Sequence, residues 1–317
     1  MWGTVLKRDL LGEIREEDRF HSKKELREYL ISEIEKQGEN VVIKDLDVSL
    51  LEDLSFLFTG IVDGVKTLDL SGWKTPNVKD MRHMFNYCGN LISIDLSGWN
   101  TSNILDIGWM FNYCEKLESL DLSGWNVSGI KFMVGLFKGC SNIRSLDLSG
   151  WDTSNVENMS WIFWRCENLE SLDLSGWNTS NVKSMSYMFC DCSNLKSIDL
   201  SGWDTSNVEN MDNMFYGCAI KSLDLSGWDT SNVKHMSMMF MNCFSLESLD
   251  LSGWNPSKVE YMNWMFGFCK NLKSLNLPGW DVSNVKSIND MFLKCPAPYE
   301  VVNNKIRKKI WICGEQY

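Results

Sequence analysis

Residues 169–192 read LESLDLSGWNTSNVKSMSYMFCDC, and the organisation of the whole chain follows from this stretch. Its SGW (PGW in the last copy) recurs, placing Trp at 73, 99, 125, 151, 177, 203, 228, 254 and 280. The step is 26 residues, except for 25 between Trp203 and Trp228, where a residue is missing around Ala219. Each copy takes the form L-x-S-[LI]-D-L-S-G-W-[DN]-[TV]-S-N-V-x-x-M-x-x-M-F-x-x-C. Self-similarity at a fixed period of about 20–50 residues marks a solenoid, so 317 residues need no second domain.

One copy translates into one coil. Leu169, Leu172 and Leu174 form L-x-x-L-x-L, the strand of a leucine-rich repeat, with Leu172 and Leu174 pointing inward at period two. Trp177 fills the slot where such repeats usually carry Asn or Cys. Thr179, Ser180 and Asn181 turn the chain with side chains that bond their own backbone. Val182, Met185, Met188, Phe189 and Cys192 then recur at three and four, which predicts a short helical turn. The expected fold is an α/β solenoid: a leucine-rich repeat of nine ~26-residue coils, with a parallel β-sheet on the concave face and short helical turns on the return limb.

The strand motif, the M-F-x-x-C ending and the period resemble the BspA-like leucine-rich repeat family, the bacterial surface protein 26-residue repeat. Residues 44–58 (KDLDVSLLEDLSFLF) resemble its opening half-repeat, with Leu54, Leu57 and Phe58 in the M-x-x-M-F places. The resemblance covers about residues 40–295. It implies a microbial surface protein that binds host or neighbouring-cell proteins. Ser22 and Glu25 form a capping box opening a helix lined by Leu26, Tyr29, Leu30 and Ile34 and ending near Gly38. The division expected is therefore an N-terminal helical cap at 1–40, the solenoid at 41–295 (half-repeat 41–66, then nine coils) and a C-terminal cap or tail at 296–317. That tail carries Lys305, Arg307, Lys308 and Lys309.

Composition removes several classes. With 44% hydrophobic and 23% charged residues the chain is an ordinary globular one, and no apolar run approaches the roughly 18 residues of a membrane span. A net charge of −11 disfavours nucleic acid, whose phosphates need Lys and Arg in excess. Charges break the apolar start of the N-terminus before a secretory h-region forms, so a cytoplasmic location is expected. The cell surface or secretion is the alternative that the resemblance implies. Nine of the eleven cysteines (88, 114, 140, 166, 192, 218, 243, 269 and 295) share one repeat position, and only Cys190 and Cys313 lie outside it. The pattern reads as a buried column of reduced thiols, with no metal site and no cofactor. His21, His83 and His235 are the only histidines, and no phosphate-loop, dinucleotide, nucleophile-elbow or zinc-protease motif occurs, so no enzyme is expected. N-x-[ST] at Asn100, Asn126, Asn158 and Asn178 follows from the turn composition.

Two regularities offer binding surfaces. The strand centre carries Asp69, Asp95, Asp121, Asp147, Asp173, Asp199, Asp224 and Asp250, then Asn276. These project outward about 4.8 Å apart, with repulsion near 0.9 kcal/mol per pair in water, so the acidic column (Asp121, Asp147, Asp173, Asp199 and Asp224) is the second-choice site. On the return limb three positions differ freely between copies, represented by Ser184, Tyr187 and Cys190. Eight of the strip's 27 cells are aromatic, against 12% of the chain, although undictated exposed positions should be polar. The expected site is Trp109, Trp161, Trp164, Tyr187, Tyr216, Met238, Met241, Tyr261 and Trp264, centred on coils four to eight. The expected function is a non-catalytic binding scaffold recognising another protein through that strip. Its alternatives are an adhesin binding host protein or, less favoured, carbohydrate, and an acidic mimic occupying a basic partner.

Overall fold

The computed structural model describes residues 19–277, 280–302 and 305–308. Helix α1 (Lys23–Gln37) begins where Ser22 accepts the Glu25 amide at 3.2 Å and ends at Gly38, whose φ of 75° only glycine adopts freely. It buries Leu26 and Leu30 on the first coil, and the Arg27 guanidinium donates to the carbonyls of Phe56 (2.9 Å) and Thr59 (2.7 Å). The expected inward face and the Ser22 cap are present, but the Glu25 carboxylate accepts the His21 amide at 3.0 Å and not that of Ser22, so the box is displaced by one residue.

Short parallel strands form the outward ladder: β1 (Asn40–Val42), β2 (Thr67–Asp69), β3 (Ser93–Asp95), β4 (Ser145–Asp147), β5 (Ser171–Asp173), β6 (Ser222–Leu223), β7 (Ser248–Asp250) and β8 (Ser274–Asn276). Like residues pair in register, as Asp147 with Asp173 and Ser222 with Ser248. Across the deletion near Ala219 the register is carried by the Asn210–His235 bridge and by the Trp203–Trp228 stack at 6.4 Å. An antiparallel hairpin, β9 (Tyr299–Val302) with β10 (Lys305–Lys308), closes the far end. Its Tyr299 ring stacks on Phe292 at 6.2 Å, and its hydroxyl accepts the Leu277 amide at 3.3 Å. Residues 1–18, Lys309 and Cys313 lie outside the described residues.

The return limb is where the structure departs from expectation. It contains no helix among the described residues. Alternate amides leave the coil: those of Met185, Tyr187, Phe189 and Asp191 donate to Asn210, Asp212, Met214 and Tyr216 of the next coil at 2.7–3.0 Å. The amides between them close four-residue turns, Met188 to Met185, Cys190 to Tyr187 and Cys192 to Phe189. Tyr187 (φ 58°) and Asp191 (φ 59°) take the left-handed conformation that the third residue of a type II turn requires. A helix instead spends its amides on its own carbonyls four residues back. Tandem turns bury Met185, Met188, Phe189 and Cys192 at three and four, which is why the spacing reads as helical. Parallel bridges along this limb run unbroken from Asp53 through Asp80, Asp106 and Phe132 to Ser287, whereas the strand ladder is interrupted twice. The return limb is the more continuous of the two.

Each core residue of the repeat has a stacking or bonding role. The Trp indoles pile up, Trp151 to Trp177 at 6.5 Å and Trp177 to Trp203 at 6.4 Å, within 3° of parallel. The Trp177 N–H donates to the Leu148 carbonyl of the preceding coil at 3.1 Å. The Phe rings form a second pile, Phe163 to Phe189 at 5.7 Å. The column thiols from Cys88 to Cys269 each reach back to a Phe carbonyl, as Cys192 to Phe163 (3.2 Å) and Cys218 to Phe189 (3.0 Å). Thr179 donates to Asp204 O (2.8 Å) and Asn181 to Ser154 O (2.7 Å), tying the turns coil to coil.

Candidate interaction surface

The three variable positions do not share one freedom. At the first, Asp80, Asp106, Asn158 and Asn210 accept the amide two residues on, at 2.8–2.9 Å. In these four of the nine copies the side chain caps the turn that begins the return limb, so part of this column is dictated by the fold after all. Tyr261 stands here, stacked on His235 at 5.3 Å. Burial pushes Asp106 above the usual carboxylate range, against the pull of the Gly108 amide and Arg82.

The second position is left-handed in every copy described: Trp109 (φ 59°), Trp161 (58°), Tyr187 (58°), Met238 (58°) and Trp264 (58°), with Gly135 at 63°. A non-glycine residue there costs roughly 1–2 kcal/mol. At the third position Asn86, Asn112 and Cys190 are buried, while Trp164, Tyr216, Met241 and Lys138 are half-buried. Burial drives the Cys190 thiol up to about 12, so it is inert.

All nine expected partner-binding residues are half-buried. Five rings line up along the second column: Phe56, His83, Trp109, Trp161 and Tyr187, with centroids 4.5, 6.1, 5.9 and 5.6 Å apart. Burial and Arg82 push His83 below its usual value, so it stacks as a neutral ring. Trp109 reaches Trp161 across coil three because Gly135 has no side chain; a Cβ there would lie 2.4 Å from the Trp109 ring. The Lys138 ammonium sits among Trp109 (5.1 Å), Tyr113 (5.6 Å) and Trp164 (4.6 Å). Desolvation lowers its pKa. Trp264 pairs with Phe268 at 6.2 Å, and Tyr216 accepts from the Asn242 amide group at 2.9 Å. Met238 and Met241 stand between the two groups of rings and join neither stack.

A fourth position, one before the column Cys, was missed. It carries Tyr87, Tyr113, Gly139, Arg165, Asp191, Gly217, Asn242, Phe268 and Lys294, which vary as freely as the second. Tyr87 and Tyr113 stack at 5.1 Å, and Tyr87 is 62% exposed. The comparison of copies that found the other columns would have found this one. With Phe56, Leu105 and Phe132 also exposed, the apolar surface extends into the first three coils.

On the opposite side Asp121, Asp147, Asp173, Asp199 and Asp224 are exposed, and each accepts the amide of the Ser two residues on at 3.0–3.1 Å. That amide, then the Ser hydroxyl, holds Asp121, Asp173 and Asp199 below the usual carboxylate range; for Asp224 the hydroxyl leads. Asp224 and Asp250 border an open hollow of about 630 Å3 walled by Pro298 and Tyr299. Among the described residues no group of three or more His, Cys, Asp or Glu is placed to hold a metal ion, and no Ser, Thr or Cys hydrogen-bonds to an imidazole. No helix among them is long and apolar enough to cross a membrane.

The family described as "Mycoplasma protein of unknown function, DUF285" matches residues 52–145, 131–225 and 184–305, and the chain belongs to it. No curated protein matches. Similar solved structures include a leucine-rich repeat protein of Bacteroides ovatus (18% identity, 77% of this chain, 68% of that one, TM-score 0.36). A leucine rich cell surface protein of Faecalibacterium prausnitzii (13%, 81% of each, TM-score 0.33) is another. A third is an internalin of Listeria monocytogenes (14%, 92% and 91%, TM-score 0.25). The first two are leucine-rich proteins, in keeping with the BspA-like leucine-rich repeat that the sequence resembles.

Proposed function

We propose that the chain is a non-catalytic scaffold that binds another protein through the aromatic strip of its return limb. One observation carries this reading. Rings occupy left-handed positions at Trp109, Trp161, Tyr187 and Trp264, where the backbone favours the Gly, Asn or Asp found at 135, 213 and 290. Trp109, Trp161 and Tyr187 stack from coil to coil and Trp264 stacks on Phe268 of its own coil, yet each ring stays only half-buried. Surfaces rich in Trp, Tyr and Met that are neither buried nor solvated are typical of protein interfaces.

The test is a pull-down and cross-linking comparison of three proteins, each first shown to be folded. They are wild type, Trp161→Ala/Trp164→Ala, and Asp147→Asn/Asp173→Asn/Asp199→Asn. Loss of partners from the aromatic variant alone supports the strip. Loss from the Asp variant alone moves the site to the sheet face, and retention by both leaves the rings as packing. A glycan array on wild type separates the carbohydrate reading, and salt dependence separates the acidic mimic, whose association weakens steeply with ionic strength. Protonated thiols donating to carbonyls suit a reducing compartment, so we place the protein in the cytoplasm; a disulfide in protein isolated from its source would move it outside.

A further inference from the structure

The position just before the first variable one alternates in charge from coil to coil. Glu and Lys take turns there from Glu52 to Lys286, and only coil two breaks the order, with Leu105 where an acid is due. Each acid pairs with the lysine of the next coil: Glu52 with Lys79 at 2.9 Å, Glu157 with Lys183 at 2.7 Å, and Glu209 with Lys234 and Glu260 with Lys286 at 2.6 Å. Lys131 is left over. Its amide donates to the Leu105 carbonyl at 3.4 Å, so Leu105 holds the place of its acid, and the Glu157 carboxylate on its other side is taken by Lys183. Among the described residues it is the one lysine of this column without an ion pair. The break is also apolar. Leu105 is 53% exposed, and Phe132, next to Lys131, is 45% exposed. Phe132 stands in its bridge ladder between Asp106 and Asn158, which cap their turns as a phenyl ring cannot.

We propose that Leu105, Lys131 and Phe132 dock an acidic-apolar segment of a protein partner, which supplies the carboxylate that the column lacks. The proposal rests on the return limb being the binding surface and names the chemistry recognised at coils two and three. The opening half-repeat shows that a carboxylate is accommodated at such a place. There Glu52 pairs with Lys79 although Asp53 is next to it, and Asp53 is itself held by Lys23 at 2.6 Å. Coil two repeats that arrangement around the missing acid. Asp106 is engaged by the Gly108 amide at 2.8 Å and by Arg82, which also binds Asp80, at 3.6 Å. The carboxylate next to Leu105 therefore has partners of its own, and Lys131 has none. The exposed apolar side chains set the other requirement. A small anion would leave Leu105 and Phe132 in water, and an apolar segment without an acid would take water from Lys131 without pairing it. A basic segment would meet Lys131 as a like charge. An acid flanked by apolar residues satisfies all three side chains.

The experiment selects random heptapeptides displayed on phage against the full chain, with counter-selection on Leu105→Glu, the variant that restores the alternation. Enrichment of peptides carrying Asp or Glu beside Leu, Ile, Phe or Trp is expected. The most enriched peptide, synthesised with a fluorescent label, should lose roughly tenfold in affinity with Leu105→Glu and several-fold with Lys131→Gln, read by anisotropy. Leu105→Glu should keep or raise the urea midpoint, because its carboxylate gains Lys131. Lys131→Gln carries the test should Leu105→Glu fail to fold. No differential enrichment, enriched peptides that lack an acid or carry Lys or Arg, or binding that Lys131→Gln leaves unchanged would overturn the proposal. So would a wild-type dimer in sedimentation velocity that Leu105→Glu dissociates, which would seat a second copy of this chain there. If the Trp161→Ala/Trp164→Ala protein loses its partners and Leu105→Glu keeps them, the strip stands as the binding surface and this docking point falls.

Discussion

Replacing Trp177 with alanine removes an indole stacked on both sides and one of the two donors to the Leu148 carbonyl, which keeps the Trp151 amide at 3.1 Å. A buried aromatic side chain takes roughly 150–250 Å2 out of water, which at about 25 cal/mol/Å2 is at most about 4–6 kcal/mol. Unfolded chains already bury part of that area, and large-to-small series for Trp give about 3–5 kcal/mol. Because the Leu148 carbonyl keeps the Trp151 amide, Trp177→Ala is expected within that range with no added cost for an unpaired acceptor. Trp161→Ala is the control, because Trp161 is half-buried and has no indole bond to a neighbouring coil; its loss should be about 2 kcal/mol. Urea titration of the full chain followed by far-UV circular dichroism reads both. Trp177 lies in the fifth of nine coils, so its loss also weakens a central interface and should broaden the transition, since repeat proteins couple only neighbour to neighbour. A cost for Trp177→Ala no larger than that for Trp161→Ala would refute the indole pile as the structural spine.

Gly135→Ala should cost about 1–3 kcal/mol, because its Cβ meets the Trp109 ring at a left-handed φ. Gly124→Ala, with nothing within 4 Å, should leave the urea midpoint unchanged. Protein purified without reductant should show close to eleven free thiols after denaturation, and native protein should resist alkylation at mildly alkaline pH, because burial holds Cys140, Cys192 and Cys243 protonated. Recovery of two or three thiols would reveal a disulfide ladder. The carboxyls of Asp173, Asp199 and Asp224 are depressed in the fold, so their stabilisation is present above the unfolded value near 3.9 and is lost as pH falls through the lower folded values. Stability measured from pH 6 downward should fall below about pH 4, and less steeply in Asp147→Asn/Asp173→Asn/Asp199→Asn.

The repeat made the coil legible because nine copies average out chance. Every position from Leu174 through Trp177, Val182, Met185, Met188 and Phe189 to Cys192 is buried as its spacing implies. What misled was periodicity on the return limb, where tandem four-residue turns bury the same residues as a helix would. The signal against a helix was present in Gly135, Gly139 and Gly217, and in Asn213 and Asn242, residues tolerant of positive φ at four-residue spacing. Variation alone also could not separate a position free of the fold from one where several residues perform one fold task. Asp80, Asn158 and Ser184 differ, yet Asp80 and Asn158 cap the same turn. Burial and hydrogen bonds were needed to tell these cases apart.

The acidity of the chain divides on the same criterion. After eight of the nine repeat Trp, Asn100, Asn126, Asn178 and Asn255 accept the amide of the Ser two residues on, as do Asp152, Asp204, Asp229 and Asp281; Lys74 follows Trp73. Charge at that corner is optional. At the strand centre Asp makes the same bond in eight copies; in the ninth Asn276 is followed two residues on by Pro278, which has no amide hydrogen, and its side chain donates to Asp250 at 3.1 Å. Neighbouring carboxylates there repel across one strand spacing, and Asn would make the turn without repulsion. The turn therefore explains the acceptor and leaves the charge unexplained. A row of like charges keeps a second sheet from pairing with this face, and it also suits a basic partner. The triple Asp→Asn variant keeps the acceptors and removes three charges, so it should fold as wild type does near neutral pH. Any partner it loses is then lost to charge and not to structure, whereas new self-association would assign the column to keeping copies apart.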